Sequence, residues 1–300
     1  MIIDIHPGDS INEVINTASS KDEIIIHEGI YSEKVRITKS NLHIKGLGNV
    51  VIQNKDWYSK IHIDNKEYNT FRTYTVMVLG DNITIENVTI KNLSVPSSLY
   101  GQAVALHVLG TNFRFINSKL YSAQDTLFMA PLPVNLQTKY IGFLYPEELS
   151  SRYNKMYFKD CYIEGDVDFI FGGADAVFDN CHFHAIEGHT AQYFFAPCHT
   201  EKMEYGFTII NSKFTSDVKG VTLLARPWRD YGKVTIINAI IEDGIIKEEG
   251  FNKWNNTNRD KTARFAYYNL GMDTSKFVKW SKELTKAEAD KYIEHAKSFQ

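Results

Sequence analysis

The chain is short of several things. It has only three cysteines, Cys161, Cys181 and Cys198, an odd count that leaves at least one thiol unpaired. It has four tryptophans against 17 tyrosines and 18 phenylalanines. That aromatic balance suits strands, where bulky rings pack on a pleated surface. No run approaches the ~20 apolar residues of a membrane-spanning helix, so no membrane partner is expected. The formal net charge is -3, and no clustered basic face suggests nucleic acid. The same balance offers no global attraction for an acidic substrate, so such affinity must come from local Arg and Lys. The opening Met-Ile-Ile-Asp-Ile-His-Pro lacks the basic and apolar blocks of a signal peptide. A cytoplasmic protein is the expectation, with a secreted protein already stripped of its signal peptide as the alternative. What is plentiful is core material: 43% of the 300 residues are hydrophobic, enough for one large or two average domains.

Ile2–Ile5 reads as a short strand. Ser10 and Glu13 then form a capping box ahead of Ile11, Val14, Ile15 and Ala18 at helical spacing, which predicts a short amphipathic helix. Gly8-Asp9-Ser10-Ile11 also resembles the nucleophile block of the GDSL-type esterases. Their Asp-x-x-His partner would have to be Asp179 to His182, far from the C-terminus where that family keeps it. A helix N-cap explains Ser10 with less.

From Ile24 onward the pattern is strands. One unit recurs: alternating apolar residues, an Asn or Asp, then apolar residues again. Copies place that residue at Asn87, Asn117, Asp160, Asn180, Asn211 and Asn238, with steps of 30, 43, 20, 31 and 27 residues. Self-similarity at such periods indicates a solenoid, propeller or array. Each copy holds two short strands joined at one residue that tolerates a left-handed bend. A propeller needs four strands per repeat, and helical repeats need helices. The prediction is all-β: a right-handed parallel β-helix, with the short N-terminal helix and a C-terminal helical segment, forming one domain over residues 1–300. Irregular steps put loops of variable length on one side, where binding sites usually lie.

Cys161 and Cys181 follow the bend in consecutive copies and are expected to stack in neighbouring coils, within reach of a disulfide if the compartment allows. A zinc site from Cys181, His182 and His184 lacks a second ligand pair, so stacked or exposed side chains are the simpler reading.

Polar residues in apolar blocks mark the chemistry. Gly165-Asp166-Val-Asp168-Phe-Ile-Phe171-Gly-Gly173 places two acids two apart in an apolar run. In an extended strand they would share a face. A carboxylate there is partly desolvated, so its pKa rises unless a cation compensates. Further clusters are Gln102-Ala-Val-Ala-Leu106, Gln124-Asp125-Thr-Leu-Phe128, Thr190-Ala-Gln192 and Arg226-Pro-Trp228. In a stacked solenoid Gln102, Gln124, Asp125, Asp168 and Arg226 can form one patch.

These blocks, in this order, resemble the signature blocks of the pectin methylesterases, a β-helical carbohydrate esterase family. The resemblance runs from the N-terminal strand and helix to Trp280-Ser-Lys-Glu-Leu-Thr-Lys-Ala-Glu-Ala. It implies hydrolysis of galacturonate methyl esters of pectin or methylated oligogalacturonides to carboxylate and methanol. It assigns Asp168 as nucleophile, Asp125 as general acid and base, and Arg226 as the group that orients Asp168. Gln102 and Gln124 would stabilise the oxyanion. Trp228, Phe128, Phe171 and Gln192 would contact the sugar. No cofactor or metal is implied, and a monomer is expected. The chain departs from the pattern at Ala225 (usually Gly), at Tyr193 (Gly and Arg are usual after Gln192) and at Tyr268 (often an acid). The gap from Asp125 to Asp168 is about one coil longer than usual. The extra segment, about residues 129–150, is expected to border the cleft and narrow the choice of substrate.

Other β-helical activities have sequence requirements of their own. A pectate lyase needs a calcium-binding acid cluster, for which only Asp166 with Asp168 is a hint. A glycosidase needs two carboxylates flanking a glycosidic bond; Asp125 and Asp168 are available, but an adjacent Arg and two glutamines suit an ester oxyanion better. A thioesterase, or an esterase for another acylated sugar, is the nearer rival.

Overall fold

In the bend positions the side chains and the backbone agree. Asn87, Asn117, Asp160, Asn180, Asn211 and Asn238 all have φ between +45° and +57°. This is the left-handed region, where the short polar side chains of Asn and Asp cost least. A seventh copy, missed in the sequence, ends at Asn269 with φ +51°. Adjacent bends are tied side chain to side chain, Asn180 Nδ2 donating to Asp160 Oδ1 at 2.6 Å and Asn269 Nδ2 to Asn238 Oδ1 at 3.0 Å.

The computed structural model describes residues 1–300 and is a parallel β-helix. Every strand pairing in its two sheets is parallel, and the central coils stack in register. Ile85, Phe115, Phe158, Phe178, Ile209 and Ile236 form one continuous inward ladder. Because identical faces stack, their rings touch; Phe158 and Phe178 lie 4.6 Å apart and nearly parallel. Removing one such ring, as in Phe158→Ala, costs ~3–5 kcal/mol.

Each coil proves to have three strands, not two. The two flanking the bend belong to the larger sheet. The third builds a separate seven-stranded sheet: Val35–Ile37, Val76–Val78, Leu106–Val108, Leu127–Met129, Ile170–Gly172, Gln192–Pro197 and Thr222–Ala225. It carries the site.

The ends of the solenoid are covered. Ser10 caps the helix Ile11–Thr17, accepting from the Glu13 N–H, and donates its own hydroxyl to Glu33. Ile11 and Ile15 join the core beneath the first coil. The serine-esterase reading fails: Ser10 is engaged in capping, and His182 bonds to Thr215. Phe251, Phe277 and Trp280 close the far end. The helix Lys286–Lys297 opens with a capping box at Thr285 and Glu288 and lies against Tyr157, Val177, Ile210 and Ile237 on the outside of the larger sheet. No helix is long and apolar enough to cross a membrane.

Cys161 and Cys181 stack in neighbouring coils as free, buried thiols. Each donates to a backbone carbonyl, Phe115 O at 3.1 Å and Phe158 O at 3.5 Å. Cys181 points into the core, whereas His182 and His184 face outward and share Thr215 Oγ1, so the three do not converge on a metal.

Candidate active site

The segments that lead into the third strands stack on one another. Tyr58 N–H donates to Gln102 O at 3.0 Å, Ala103 N–H to Gln124 O at 3.0 Å, and Asp125 N–H to Val167 O at 3.2 Å. Gln102, Gln124–Asp125 and Asp168 thus reach adjacent rungs of the same sheet edge although 66 residues separate the first from the last. All four line one cavity of about 270 Å³, together with Arg226 and Trp228.

The two acids are not on an extended strand, as the spacing had suggested. Asp166 to Phe169 form the turn between Tyr162–Gly165 and Ile170–Gly172, and Asp168 sits at its apex with φ +50°. Two glycines permit this. A Cβ on Gly165 would meet Phe169 Cβ at 2.3 Å, and one on Gly172 would meet the Met129 carbonyl at 1.9 Å. The turn sends the acids apart. Asp166 accepts from Ser97 Oγ and, at 2.6 Å, from the Val167 N–H, which leaves it structural. The two acids are taken up by different partners, and no group of three metal-ligating side chains occurs anywhere in the chain, so the hint of a calcium cluster finds no support.

Asp168 faces Arg226 in a bidentate pair, Nε to Oδ1 at 2.7 Å and Nη2 to Oδ2 at 2.6 Å. The guanidinium is clamped between two rings, Tyr193 at 4.0 Å and Trp254 at 4.1 Å from its carbon. Such a fork is pre-organised, which makes the contact strong and fixes its direction. Tyr193 therefore supports Arg226 at the position where the family usually has Gly and Arg. Trp254 was missed in the sequence. The signal was there, a lone tryptophan in the polar run Asn252-Lys-Trp254-Asn-Asn256, held with φ +69°.

Burial pushes both carboxyls above the usual carboxylate range. The Arg226 hydrogen bonds and charge hold Asp168 back, so it rises less. Asp125 makes no such pair; burial and the neighbouring Asp168 charge push it well above the ordinary value. The first proton taken up therefore goes to Asp125 and leaves Asp168 ionised. Two acids with separated proton affinities are what acid–base chemistry at one centre needs.

Two of the residues expected to contact the sugar are buried away from the cavity. Phe128 is 0% exposed, packed under Phe71, His107 and Phe171 in an apolar cluster on the outside of the sheet. Gln192 is 0% exposed, its amide donating to Ile186 O at 2.7 Å and accepting from Thr222 Oγ1 at 2.9 Å, so it ties coils together. Phe171 is buried too but forms part of the cavity floor, edge-on to Trp228 at 5.6 Å. Tyr58, Phe71, Tyr140 and Trp254 complete the aromatic lining.

The family model described as pectinesterase matches residues 7–132 and 140–298. The chain belongs to the pectinesterase family. Pectinesterase QRT1 of Arabidopsis thaliana is 30% identical over 298 residues, 95% of this chain and 71% of that protein. Putative pectinesterase 14 of the same plant is 30% identical over 299 residues, 94% and 79% of the two chains. Among solved structures, the pectin methylesterase from carrot superposes with a TM-score of 0.80 at 23% identity, covering 96% of this chain and 89% of that one. A pectin methylesterase in complex with a hexasaccharide gives 0.75 at 24% identity, with 94% and 90% covered. These similarities share the right-handed β-helix. The family match skips residues 133–139, between Asp125 and Asp168, and Leu136 and Lys139 from these residues, with the neighbouring Tyr140, line the cavity.

Proposed function

We propose that this pectinesterase hydrolyses galacturonate methyl esters through an acyl-enzyme formed on Asp168. The observation that carries the reading is the Asp168 carboxylate, held by the bidentate Arg226 beside a buried Asp125 whose carboxyl burial and the Asp168 charge push well above the ordinary range. Asp168 Oδ attacks the ester carbonyl carbon, and the carbonyl electron pair moves to oxygen. The Gln102 and Gln124 carboxamides, which line the cavity, donate to that oxyanion; one such donor is worth ~3 kcal/mol in comparable sites. The bond to the methoxyl oxygen breaks as Asp125 passes its proton to departing methanol. Asp125, now a carboxylate, takes a proton from water, whose oxygen attacks the anhydride carbon. Breaking the bond to Asp168 restores its carboxylate and the Asp125 proton and releases the galacturonyl group as a carboxylic acid, which gives its proton to solvent to become galacturonate. The net reaction consumes one water and yields one methanol.

Arg226 stays charged throughout and keeps Asp168 aimed at the carbonyl. Trp228 offers a flat apolar face for a sugar ring. The test is methanol release from methylated trigalacturonate by the wild type, Asp168→Asn and Asp125→Asn, with and without chelator. Loss of turnover in both variants and indifference to chelator are expected. Unsaturated or new reducing ends in place of methanol would move the enzyme to the lyase or glycosidase class.

A further inference from the structure

The outer face of the seven-stranded sheet carries one residue per coil in register: Met77, His107, Phe128, Phe171 and Ala196. On a solenoid sheet that forms the floor of an open groove, such residues meet solvent or ligand. Here Met77 is 0%, His107 1% and Phe128 0% exposed. Only at Phe171 and Ala196 does the floor reach the cavity.

Two segments cover the first three. Residues 55–73 lead into the strand Val76–Val78, and residues 130–154 leave the strand Leu127–Met129. The strands are all parallel, so these segments rise from opposite edges of the sheet. They meet above it. Asn69 Nδ2 donates to Tyr140 Oη at 3.1 Å, and the Phe71 and Tyr140 rings pack edge to face at 5.6 Å. Arg72 lies over the Phe143 ring at 3.7 Å and donates to the Phe143 carbonyl. Phe71 reaches down onto Phe128 at 5.3 Å. The result is a roof from edge to edge, filled with apolar side chains beneath.

We infer that the enzyme is end-specific: it removes the methyl ester from one terminal region of short methylated oligogalacturonides rather than from the interior of the polymer. This rests on the ester-hydrolase reading and adds its substrate class. A sugar chain lying along the sheet stops at the Phe71–Tyr140 wall, next to Asp125 and Asp168. The space there, about 270 Å³, is small against the ~300–1,000 Å³ of sites that bury a drug-sized ligand. Part of the wall, Leu136 and Lys139, comes from residues that the family pattern does not include.

The experiment gives the enzyme fully methylated hexagalacturonate labelled at its reducing end, and highly methylated pectin at equal ester concentration. Tandem mass spectrometry locates the first free carboxylate in the hexamer while methanol is followed in both. The expected result is a first carboxylate confined to one end, and release per ester from pectin at least about ten-fold slower, equivalent to ~1.4 kcal/mol in the barrier. Tyr140→Ala, which opens the roof, is expected to raise the pectin-to-hexamer rate ratio by about the same factor. First carboxylates spread over internal residues, or methanol released from pectin as fast as from the hexamer by the wild type, would overturn the inference while leaving the esterase reading intact. Absence of methanol from both substrates would overturn the esterase reading, and this inference with it.

Discussion

Replacing Arg226 with Gln removes the positive charge from the one contact that keeps Asp168 ionised. Both bonds of the fork are short, and the side chains are largely buried, at 14% and 9% exposure. Breaking a buried pair by deleting one partner costs ~3–5 kcal/mol, because the remaining charge is left uncompensated. Residual solvent access and one amide hydrogen bond from Gln reduce this to ~2–3 kcal/mol. At about 1.4 kcal/mol per pKa unit, the Asp168 carboxyl moves up by roughly two pH units. Only the ionised form attacks, so the acid limb of the kcat/KM profile for methanol release moves up by the same amount. Stability follows with a defined sign. A carboxyl whose folded pKa is raised contributes fully below its unfolded pKa and loses that contribution as pH rises through the folded value. Arg226→Gln should therefore match the wild type most nearly in acid and fall further behind towards neutral pH in thermal unfolding. A uniform drop in rate with the acid limb unmoved would refute this account and place Arg226 on the substrate instead.

Three further variants probe the site and the scaffold. Asp125→Asn should abolish turnover yet raise the unfolding temperature, and its advantage should grow as pH rises, since a buried carboxyl with a pKa well above the ordinary range destabilises the fold once it ionises; an advantage independent of pH would contradict the assigned environment. Asn180→Ala, at φ +53°, should lose ~1–2 kcal/mol in denaturant unfolding, and Asn180→Gly clearly less, because glycine enters the left-handed region without a Cβ clash; equal losses would mean that the bond to Asp160 dominates the bend.

The bends were legible because their cause is local. A left-handed residue between two alternating strands favours Asn or Asp wherever it occurs, so the repeat shows in the letters. The N-cap at Ser10 is local in the same sense, although only its half of the expected box forms, Ser10 Oγ accepting from the Glu13 N–H. Asp125 and Asp168 stood out because ionisable groups in apolar blocks are costly to bury and need a compensating reason. The third strand of each coil was hidden. Leu127-Phe-Met129 and Ile170-Phe-Gly172 are three residues long and show no alternation, because both of their faces are covered. Gln192 and Phe128 were misplaced for a related reason. A side chain in a signature-like block reads the same whether it faces a ligand or a neighbouring coil.

From the sequence alone come the solenoid, its bends, its end caps, the two acids, the two amides and the arginine. All follow from preferences that act within a few residues, or from the cost of burying polar groups. The tertiary structure decided which rings clamp Arg226, where Asp166 finds its partners and which aromatics reach the cavity. It also decided that residues 55–73 and 130–154 meet over the sheet. Those outcomes depend on packing between segments some 70 residues apart, and no local preference encodes which side chain arrives on top.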